Sequence, residues 1–432
     1  MPSPLLLIAL GLVGLQVWSA LSTLALSPLA RVGGGCRGPR RGPGEVEFVV
    51  VTKAVPGVMD ALREVLESLS RRFPGYRVWV VTDHDSPCLE TLSLWRAELG
   101  FSLVVVPRAY GRGRYKSRAI QYFIDYYVDE DKWYVFLDDD SYPLDDGFLC
   151  EVSDDVPVYN GHIYPRRGAS LLAWLVDGTR YYHSLTRQRL ALGILHKPIY
   201  GLHGELLIAR GWVLKRIPFA SDSIVEDTLY AARLIRAGIP VGMVSTRVSI
   251  LSPNSVVDLW RQRARWQLGV LRDMVRGLYP LPLAVARGAD LALWLAAPIS
   301  PLVWAYVISG LKAHPHSIRL LAALGLALYA SFAASHGLVA AREEGPLRGL
   351  AKALLAAPIL TLVHYLSPIY AAFNARRILG GFTIIDKSRA PPRLAPWRLG
   401  PAGPASPVPA VVEVLAGPPQ ATPLALQRGL GA

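Results

Sequence analysis

Cysteine is scarce in this sequence, with only Cys36, Cys88 and Cys150 among 432 residues. Their spacing fits no metal-binding motif, and three residues are too few for a disulfide framework. We therefore predict that all three are reduced, structural thiols. No internal repeat is apparent either.

Acidic residues are too few to balance the basic ones: 33 Asp and Glu stand against 46 Lys and Arg, which gives a net charge of +13. An isoelectric point near 9.7 is typical of proteins that meet nucleic acid, anionic lipid or phosphorylated substrates. Hydrophobic residues make up 52% of the chain, and its mean hydropathy is +0.29. Among these partners, the composition favours a membrane.

Charge is absent from residues 4–30, a stretch long enough to cross a bilayer core of about 30 Å. A cleaved signal peptide is the alternative, but the run is longer than its apolar region and no basic segment precedes it. We predict a retained anchor. Because Arg31, Arg37, Arg40 and Arg41 follow it, the positive-inside rule predicts a cytoplasmic domain next.

Short apolar stretches rich in β-branched residues then alternate with amphipathic ones. "EVEFVVVTK", "YRVWVVTDHD", "FSLVVVPR" and "KWYVFLDDD" are typical of buried strands, and helical spacing separates them. This order predicts an α/β fold with a mostly parallel sheet, whose ligands bind beyond the carboxyl ends of the strands. Asp83 and the run Asp138–Asp140 lie at such ends, which makes them candidate site residues.

Apolar sequence returns beyond residue 280, in three segments of about bilayer length at 289–311, 320–341 and 350–373. Pro298 and Pro301 interrupt the first, which could be kinked, re-entrant or interfacial, and we favour a segment that does not cross. Composition therefore divides the chain into a membrane anchor and linker at 1–44, an α/β domain at 45–277, a transmembrane or interfacial region at 278–388, and a disordered Pro- and Ala-rich tail at 389–432.

Two acidic motifs lie inside the α/β domain. Asp138 and Asp140 form a D-x-D pair that suits a hard divalent cation, although a solvated acidic turn is the alternative. Asp139 between them faces away if the strand continues. Glu226 and Asp227 open an apolar-periodic helix, where the helix dipole favours negative charge, so we expect Asp227 to be ionised at neutral pH.

A basic motif, "WRQRARWQLG", precedes the second apolar region. Arg261, Arg263 and Arg265 can bind phosphate bidentately, and Trp266 next to them offers a flat face to a sugar ring. A basic interfacial helix in contact with anionic lipid is the alternative.

The order D, D-x-D, E-D, Q-R-x-R-W across one α/β domain resembles the membrane-bound, inverting family-2 glycosyltransferases with a GT-A fold, and more distantly the cellulose and hyaluronan synthases. Within this family, the chain is most similar to the egghead-type β-1,4-mannosyltransferases. The similar blocks are "EFVVVTK", "VWVVTD", "YKSRAIQY", "LHKPIYGLHGELL", "SIVEDTLYAARL", "SPNSVVDLWRQRARWQLG" and "GGFTIIDK". They extend from Glu45 to Lys387, and the last implies a gating segment at 380–387.

The resemblance implies a role for each candidate residue. It implies that Asp83 and Lys116 bind the nucleotide, and that Asp138 and Asp140 hold Mg²⁺ or Mn²⁺ against the diphosphate. It implies a catalytic group in which Asp227, beside Glu226, is the general base and Arg265 stabilises the leaving diphosphate. The remaining substrate-binding residues would be Gln262, Arg263 and Trp266, with Gln262 and Trp266 bordering the acceptor.

The resemblance also implies partners: a nucleotide-sugar donor, with GDP-mannose favoured, a lipid-linked or saccharide acceptor, and the lipid bilayer, but no nucleic acid. A processive polysaccharide synthase that uses a UDP-sugar is the alternative within the family. A non-catalytic nucleotide-binding membrane protein and a transporter are the alternatives outside it. The sequence leaves the acceptor and the oligomeric state open.

Overall fold

The computed structural model describes residues 4–26, 28, 35–36, 38–310, 315–381, 385 and 387–388. The predicted tail and part of the predicted gating segment, including Phe382, lie outside these residues. So do Arg31 and Arg37, two of the four arginines that follow the predicted anchor.

One mixed sheet of eight strands forms the centre of the described α/β domain. Its strands are β1 (Val46–Val51), β2 (Arg77–Asp83), β3 (Ser102–Val106), β4 (Trp133–Asp138), β5 (Ser141–Pro143), β6 (Val158–Arg166), β7 (Leu207–Arg210) and β8 (Val241–Leu251). Their order is β3-β2-β1-β4-β7-β6-β8-β5. The predicted α/β fold is confirmed, and the strands from β3 to β4 are parallel neighbours. The sequence did not indicate β7, which runs antiparallel to both β4 and β6.

Thirteen α-helices occur in the described residues. They are α1 (Pro4–Leu26), α2 (Met59–Arg72), α3 (Leu89–Leu99), α4 (Tyr115–Tyr127), α5 (Phe148–Glu151), α6 (Leu171–His183), α7 (Gly211–Arg216), α8 (Glu226–Arg236), α9 (Val256–Val275), α10 (Leu281–Ala296), α11 (Ser300–Gly310), α12 (Pro315–Glu344) and α13 (Pro346–Gly380). A π-helical segment, Ser184–Ile194, continues α6.

The central strands are mostly apolar, as expected where helices cover both faces of a sheet. In β4, Trp133 and Val135 pack in one core with α2, α3 and α5. The intervening Tyr134 and Phe136 pack in a second core with α4, α7 and α8. Every side chain of β1 is buried.

The register of these strands places the predicted acids at one edge. Val51, the last residue of β1, pairs with Val81 of β2 on one side and with Asp138 of β4 on the other. Because the three strands are parallel, Asp83 and Asp138 both lie at the carboxyl edge of the sheet, as the sequence predicted.

Three helical stretches are long and apolar enough to cross a membrane: Leu281–Ser309, Ala322–Glu344 and Pro346–Gly380. They correspond to the three predicted segments, although the first begins eight residues earlier than residue 289. A 3₁₀ turn that contains Pro298 separates α10 from α11, which is the interruption expected from the prolines. Helix α1 is a fourth, apolar helix, and it packs on α11.

The prediction of three reduced cysteines is wrong for two of them, because Cys36 and Cys150 form a disulfide. The linker after α1 lies along α5, where the Gly38 amide donates to the Cys150 carbonyl at 3.2 Å. This contact brings the two cysteine Cα atoms to 4.9 Å. Their separation of 114 residues gave no local signal of the pairing. Cys88 is a free thiol, as predicted.

Helix α4 fixes the loop that leads into α8. The buried Gln121 amide oxygen accepts hydrogen bonds from the backbone amides of Phe219 at 2.7 Å and Ala220 at 2.8 Å. Its amide nitrogen donates to Asp125 at 2.8 Å. One side chain therefore satisfies two backbone donors in the segment that carries Asp227.

We predict that Gln121→Leu lowers the stability of the protein, because it leaves two backbone amides without an acceptor. Such groups cost about 1–3 kcal/mol each when they are buried. We expect the apparent Tm of the detergent-solubilised protein to fall by about 4–8 °C. Leu94→Ala, on the exposed face of α3, is the control and should change Tm little. An unchanged Tm for Gln121→Leu would show that the loop is held by other contacts.

Candidate active site

A cavity of about 750 Å³ opens at the carboxyl edge of the sheet. Its walls come from the strand ends, from α4, α8 and α9, and from α1, α6, the π-helical segment and α10. All ten predicted site residues line it: Asp83, Lys116, Asp138, Asp140, Glu226, Asp227, Gln262, Arg263, Arg265 and Trp266. The fold therefore gathers residues that are spread over 184 positions of the sequence into one volume.

Asp83 is held by two basic side chains at the end of β2. It forms an ion pair with Arg118 of α4, and Lys53 Nζ lies 3.4 Å from its second oxygen. The Arg118 Nε group also donates to the Tyr110 carbonyl at 3.0 Å, which fixes the guanidinium group. The carboxylate is thus oriented before any ligand binds.

Each carboxylate of the D-x-D pair faces an ammonium group. Lys116 forms an ion pair with Asp138, and Lys387 forms one with Asp140. Burial raises the pKa of Asp138 to about 6, although Lys116 opposes this shift. Asp140 also accepts a hydrogen bond from the Leu251 amide at 3.3 Å.

Asp139 has surroundings of its own. Its carboxylate accepts a hydrogen bond from the Thr52 hydroxyl at 3.0 Å, while its two neighbours pair with lysines. Because β4 ends at Asp138, the strand does not continue as the expectation that Asp139 faces away required, and Asp139 has its own partner in the turn that follows.

The two flanking carboxylates fit a hard divalent cation. Mg²⁺ is held in many proteins by one or two carboxylates, with substrate phosphates and water completing its shell. Asp138 and Asp140 supply such a pair, and the two ammonium groups show that positive charge is stabilised there. Within the described residues no cluster of three or more His, Cys, Asp or Glu side chains could hold a metal. Substrate phosphates and water would complete the coordination of a cation held by Asp138 and Asp140.

Glu226 and Asp227 begin α8, as the sequence predicted, and the Thr228 amide donates to Asp227 at 2.7 Å. The expectation that the ionised form of Asp227 dominates at neutral pH is wrong. Burial and the neighbouring Glu226 and Glu205 raise its pKa to about 7. The helix terminus stabilises the ionised form of Asp227. Burial among other carboxylates destabilises that form by more. A carboxylate with a pKa near neutrality is suited to accept a proton and release it again.

Two guanidinium groups lie over the ring of Trp266. The Cζ atoms of Arg180 and Arg263 are 4.8 and 4.7 Å from the centre of its ring. Arg180 also pairs with Glu205 at 2.7 Å, and Arg263 with the fully buried Asp177 at 2.6 Å. The contacts of Arg263 are therefore with the protein interior, although it lines the cavity.

Arg265 lies among four acidic side chains. Burial lowers its pKa, and the charges of Glu226, Asp227, Asp138 and Glu205 act against this shift. Its guanidinium group thus sits in the field of both the D-x-D pair and the predicted base.

Sequence reasoning missed Glu205, Arg180 and Arg118. Glu205 and Arg118 lie within blocks quoted above, so their neighbours gave a signal that could have found them. Arg180 belongs to α6, a helix with no recognisable motif. The π-helical segment, which contributes Arg187 and Gln188 to the cavity, had no sequence signal that we can identify.

Comparison with known proteins agrees with this geometry. The model of glycosyl transferase family group 2 matches residues 133–374. Beta-1,4-mannosyltransferase egh of Drosophila melanogaster is 23% identical over 212 residues, which are 46% of each chain. Beta-1,4-mannosyltransferase bre-3 of Caenorhabditis elegans is 23% identical over 219 residues, 46% of this chain and 47% of the relative. The chain thus spans about half the length of the curated relatives it matches.

Among solved structures, the chain is similar to the mannosyltransferase PcManGT from Pyrobaculum calidifontis, in complex with GDP-Man and Mn²⁺. The two share 16% sequence identity with a TM-score of 0.50, over 86% of this chain and 98% of that one. A likeness at this level of identity establishes a shared fold.

We predict opposite effects of two substitutions on Mn²⁺ affinity, measured by titration calorimetry. Asp140→Asn removes an anionic ligand and should weaken Mn²⁺ binding in the presence of GDP by about tenfold or more. Lys387→Met removes a competing ammonium group and should strengthen Mn²⁺ binding without nucleotide by about tenfold. Lys215→Met on the protein surface is the control and should change neither. Weaker binding by Lys387→Met would show that this lysine assists the metal site rather than competing with the metal.

Proposed function

This chain belongs to glycosyl transferase family group 2, and from that premise we propose that it is an inverting glycosyltransferase that acts at a membrane. The observation that supports this proposal best is the cavity itself. It combines a D-x-D pair, an arginine and a partly buried carboxylate with a pKa near 7, which are the groups needed to bind a sugar diphosphate and to activate a hydroxyl.

The chemistry follows from the position of these groups. Asp227 removes the proton from the acceptor hydroxyl, whose oxygen attacks the anomeric carbon of the sugar. Arg265 and Lys116 stabilise the negative charge that develops on the leaving diphosphate. A divalent cation held by Asp138 and Asp140 would neutralise further charge on the same group. A single displacement inverts the anomeric carbon, so an α-linked donor gives a β-glycoside.

We propose GDP-mannose as the donor. Support comes from the curated relatives, each of which is named a β-1,4-mannosyltransferase. In this chain, Asp83 at the end of β2 would bind the ribose or base, because its carboxylate is oriented by Arg118 and Lys53.

We propose a multi-pass arrangement in the membrane, with the domain at 45–277 in the cytoplasm. Three helices are long and apolar enough to cross a bilayer, and α1 is a further apolar helix. Four arginines follow α1, which favours a cytoplasmic location for the segment after it.

Asp227→Asn should reduce sugar transfer by about 10²–10⁴-fold, the usual effect of removing a general base, and should retain binding of GDP and Mn²⁺. The wild-type rate should fall as the pH drops below about 7, because protonation of Asp227 removes the base. Release of GDP and incorporation of labelled mannose, each followed from pH 5 to 9, measure both effects. Any residual rate of Asp227→Asn should lack this acidic limb.

Glu226→Gln provides the matched comparison for this experiment, because Glu226 is adjacent and its change also removes one carboxylate. If Glu226→Gln were inactive and Asp227→Asn active, the base would be Glu226. If both retained wild-type turnover, the proposed function of this site would be wrong.

The location of the domain can be tested by labelling. The Cys36–Cys150 disulfide makes this measurement informative, because such bonds are rare in the cytoplasm outside hyperthermophiles. His84→Cys, in an exposed turn, should react with a membrane-impermeant maleimide only after cell lysis, in a Cys88→Ser background. Labelling in intact cells would place the domain outside.

A further inference from the structure

One end of the cavity takes no part in the mechanism proposed above. Its walls are α1, the π-helical segment and α10, which contribute Ser19, Arg187, Gln188, Arg287 and Asp290. Segments of π-helix occur frequently at functional sites. We refer to these five residues as the basic end of the cavity.

Two guanidinium groups share one carboxylate at the basic end. Arg187 lies 3.2 Å from Asp290 and donates to the Ser19 hydroxyl at 2.6 Å, and Arg287 lies 3.5 Å from the other Asp290 oxygen. The three side chains, Arg187, Arg287 and Asp290, are only 10, 20 and 26% exposed. Two positive charges thus face one negative charge in a largely buried position.

The position of these charges is unusual. Arg287 and Asp290 belong to the stretch Leu281–Ser309, which is apolar enough to cross a membrane. Ionisable side chains in such a stretch are costly, and they commonly mark a binding site or a pathway. On α10 itself, Leu281, Val285 and Leu295 are exposed apolar side chains. The basic end therefore lies beside a surface suited to lipid.

The basic end is continuous with the catalytic residues. His183 lines the cavity together with Arg187, Arg263 and Arg287, and burial and the charges of these arginines lower its pKa to about 3. Arg263 contacts Trp266, and Trp266 also contacts Arg180, the partner of Glu205.

Buried polar atoms without partners line the cavity between the basic end and the catalytic residues. Among the described residues, no hydrogen-bond partner is found for the side-chain oxygens of Gln188, Gln262 and Gln267, or for Arg287 Nε. All four residues line the cavity. Buried polar groups are normally satisfied, so this pattern indicates a ligand with several hydroxyl groups beside an anionic group.

Resting on the proposed transferase function, we propose that the acceptor is a sugar joined to a lipid through a phosphate group. Arg187 and Arg287 bind the phosphate, and the glutamine side chains bind the sugar hydroxyls. The lipid chain lies against α1 and α10. Guanidinium groups suit this role because they bind phosphate oxygens bidentately.

The reaction then proceeds at a hydroxyl of that sugar. The acceptor oxygen forms a bond to the anomeric carbon of the donor, and the bond from this carbon to the diphosphate oxygen breaks. The hydroxyl proton passes to Asp227, and the electron pair leaves with the nucleoside diphosphate. The acceptor phosphate is an anchor and remains unchanged.

Matched acceptors test this proposal. The full-length protein in detergent is given GDP-mannose, Mn²⁺ and pairs of compounds with the same alkyl chain and the same sugar: an alkyl glycosyl phosphate and a neutral alkyl glycoside, for glucose, mannose and N-acetylglucosamine. A sugar phosphate without an alkyl chain separates the contribution of the phosphate from that of the lipid. For the sugar that is used, we expect kcat/KM to be at least about tenfold higher for the phosphate-linked lipid than for either comparison compound.

Arg287→Gln should reduce the ratio of kcat/KM between the phosphate-linked and neutral acceptors to within about twofold, mainly through KM. Arg287→Lys keeps the charge and should retain part of the preference. Arg236→Gln, on the exposed face of α8, is the matched control and should keep the wild-type ratio. The wild-type comparison alone remains decisive if Arg287→Gln does not fold.

The outcomes separate the two proposals. Mannose transfer with equal use of phosphate-linked and neutral acceptors would overturn the acceptor class and leave the proposed function standing. A preference that persists in Arg287→Gln would overturn the assignment of the phosphate site to this arginine. If no acceptor is used and no GDP is released in an Asp227-dependent way, the proposed function itself is overturned. The proposed acceptor class then fails with it.

Discussion

Carboxylates that are buried or partly buried at the carboxyl edge of the sheet need compensating positive charge, and this requirement joins distant parts of the chain. The carboxylates are Asp138, Asp140, Glu205, Glu226 and Asp227. Their positive partners come from four different elements: Lys116 from α4, Arg180 from α6, Arg265 from α9 and Lys387 from beyond α13. An uncompensated buried charge costs several kcal/mol, so the position of each element is coupled to the site.

The same constraint prepares the site for its ligands. A divalent cation can replace the ammonium groups that pair with the carboxylates. A diphosphate can then pair with the ammonium groups that the cation displaces. Lys116 and Lys387 each neutralise one carboxylate of the D-x-D pair, and each can instead face a phosphate. In the function proposed above, the charge of the site would therefore change little on binding, although its partners would change. Arg180 and Glu205 pair with each other, so they can keep their geometry through this exchange.

Hydrophobic periodicity in the sequence predicted the parts of the structure that depend on residues close together in the chain. Continuous apolar strands, amphipathic helices and long apolar runs identified the α/β domain, the three long apolar helices and the edge that carries Asp83 and Asp138. The adjacent acids Glu226 and Asp227, followed by apolar residues at helical spacing, also located the start of α8. These features depend on periodicity and on strand direction, which a sequence contains.

The parts that the sequence did not predict depend on contacts between distant residues. The Cys36–Cys150 disulfide follows from a linker that lies along α5, and no spacing rule detects it. The raised pKa of Asp227 follows first from burial, then from Glu226, and then from Glu205, which reaches the site from a separate block of sequence. The start of the helix alone suggested that Asp227 is ionised at neutral pH. The error arose because the field at a buried site is a sum over all neighbouring elements, whereas a motif shows only one of them.

The apolar helices are part of the active-site wall as well as a candidate membrane anchor. Ser19 of α1 and Leu293 of α10 line the same cavity as the D-x-D pair, and Arg187 links α1 to α10 through Ser19 and Asp290. In this chain these contacts place a charged, hydrogen-bonding surface between the catalytic carboxylates and the helices that suit lipid. In the function proposed above, the donor and the acceptor would approach one carboxylate, Asp227, from regions of different polarity.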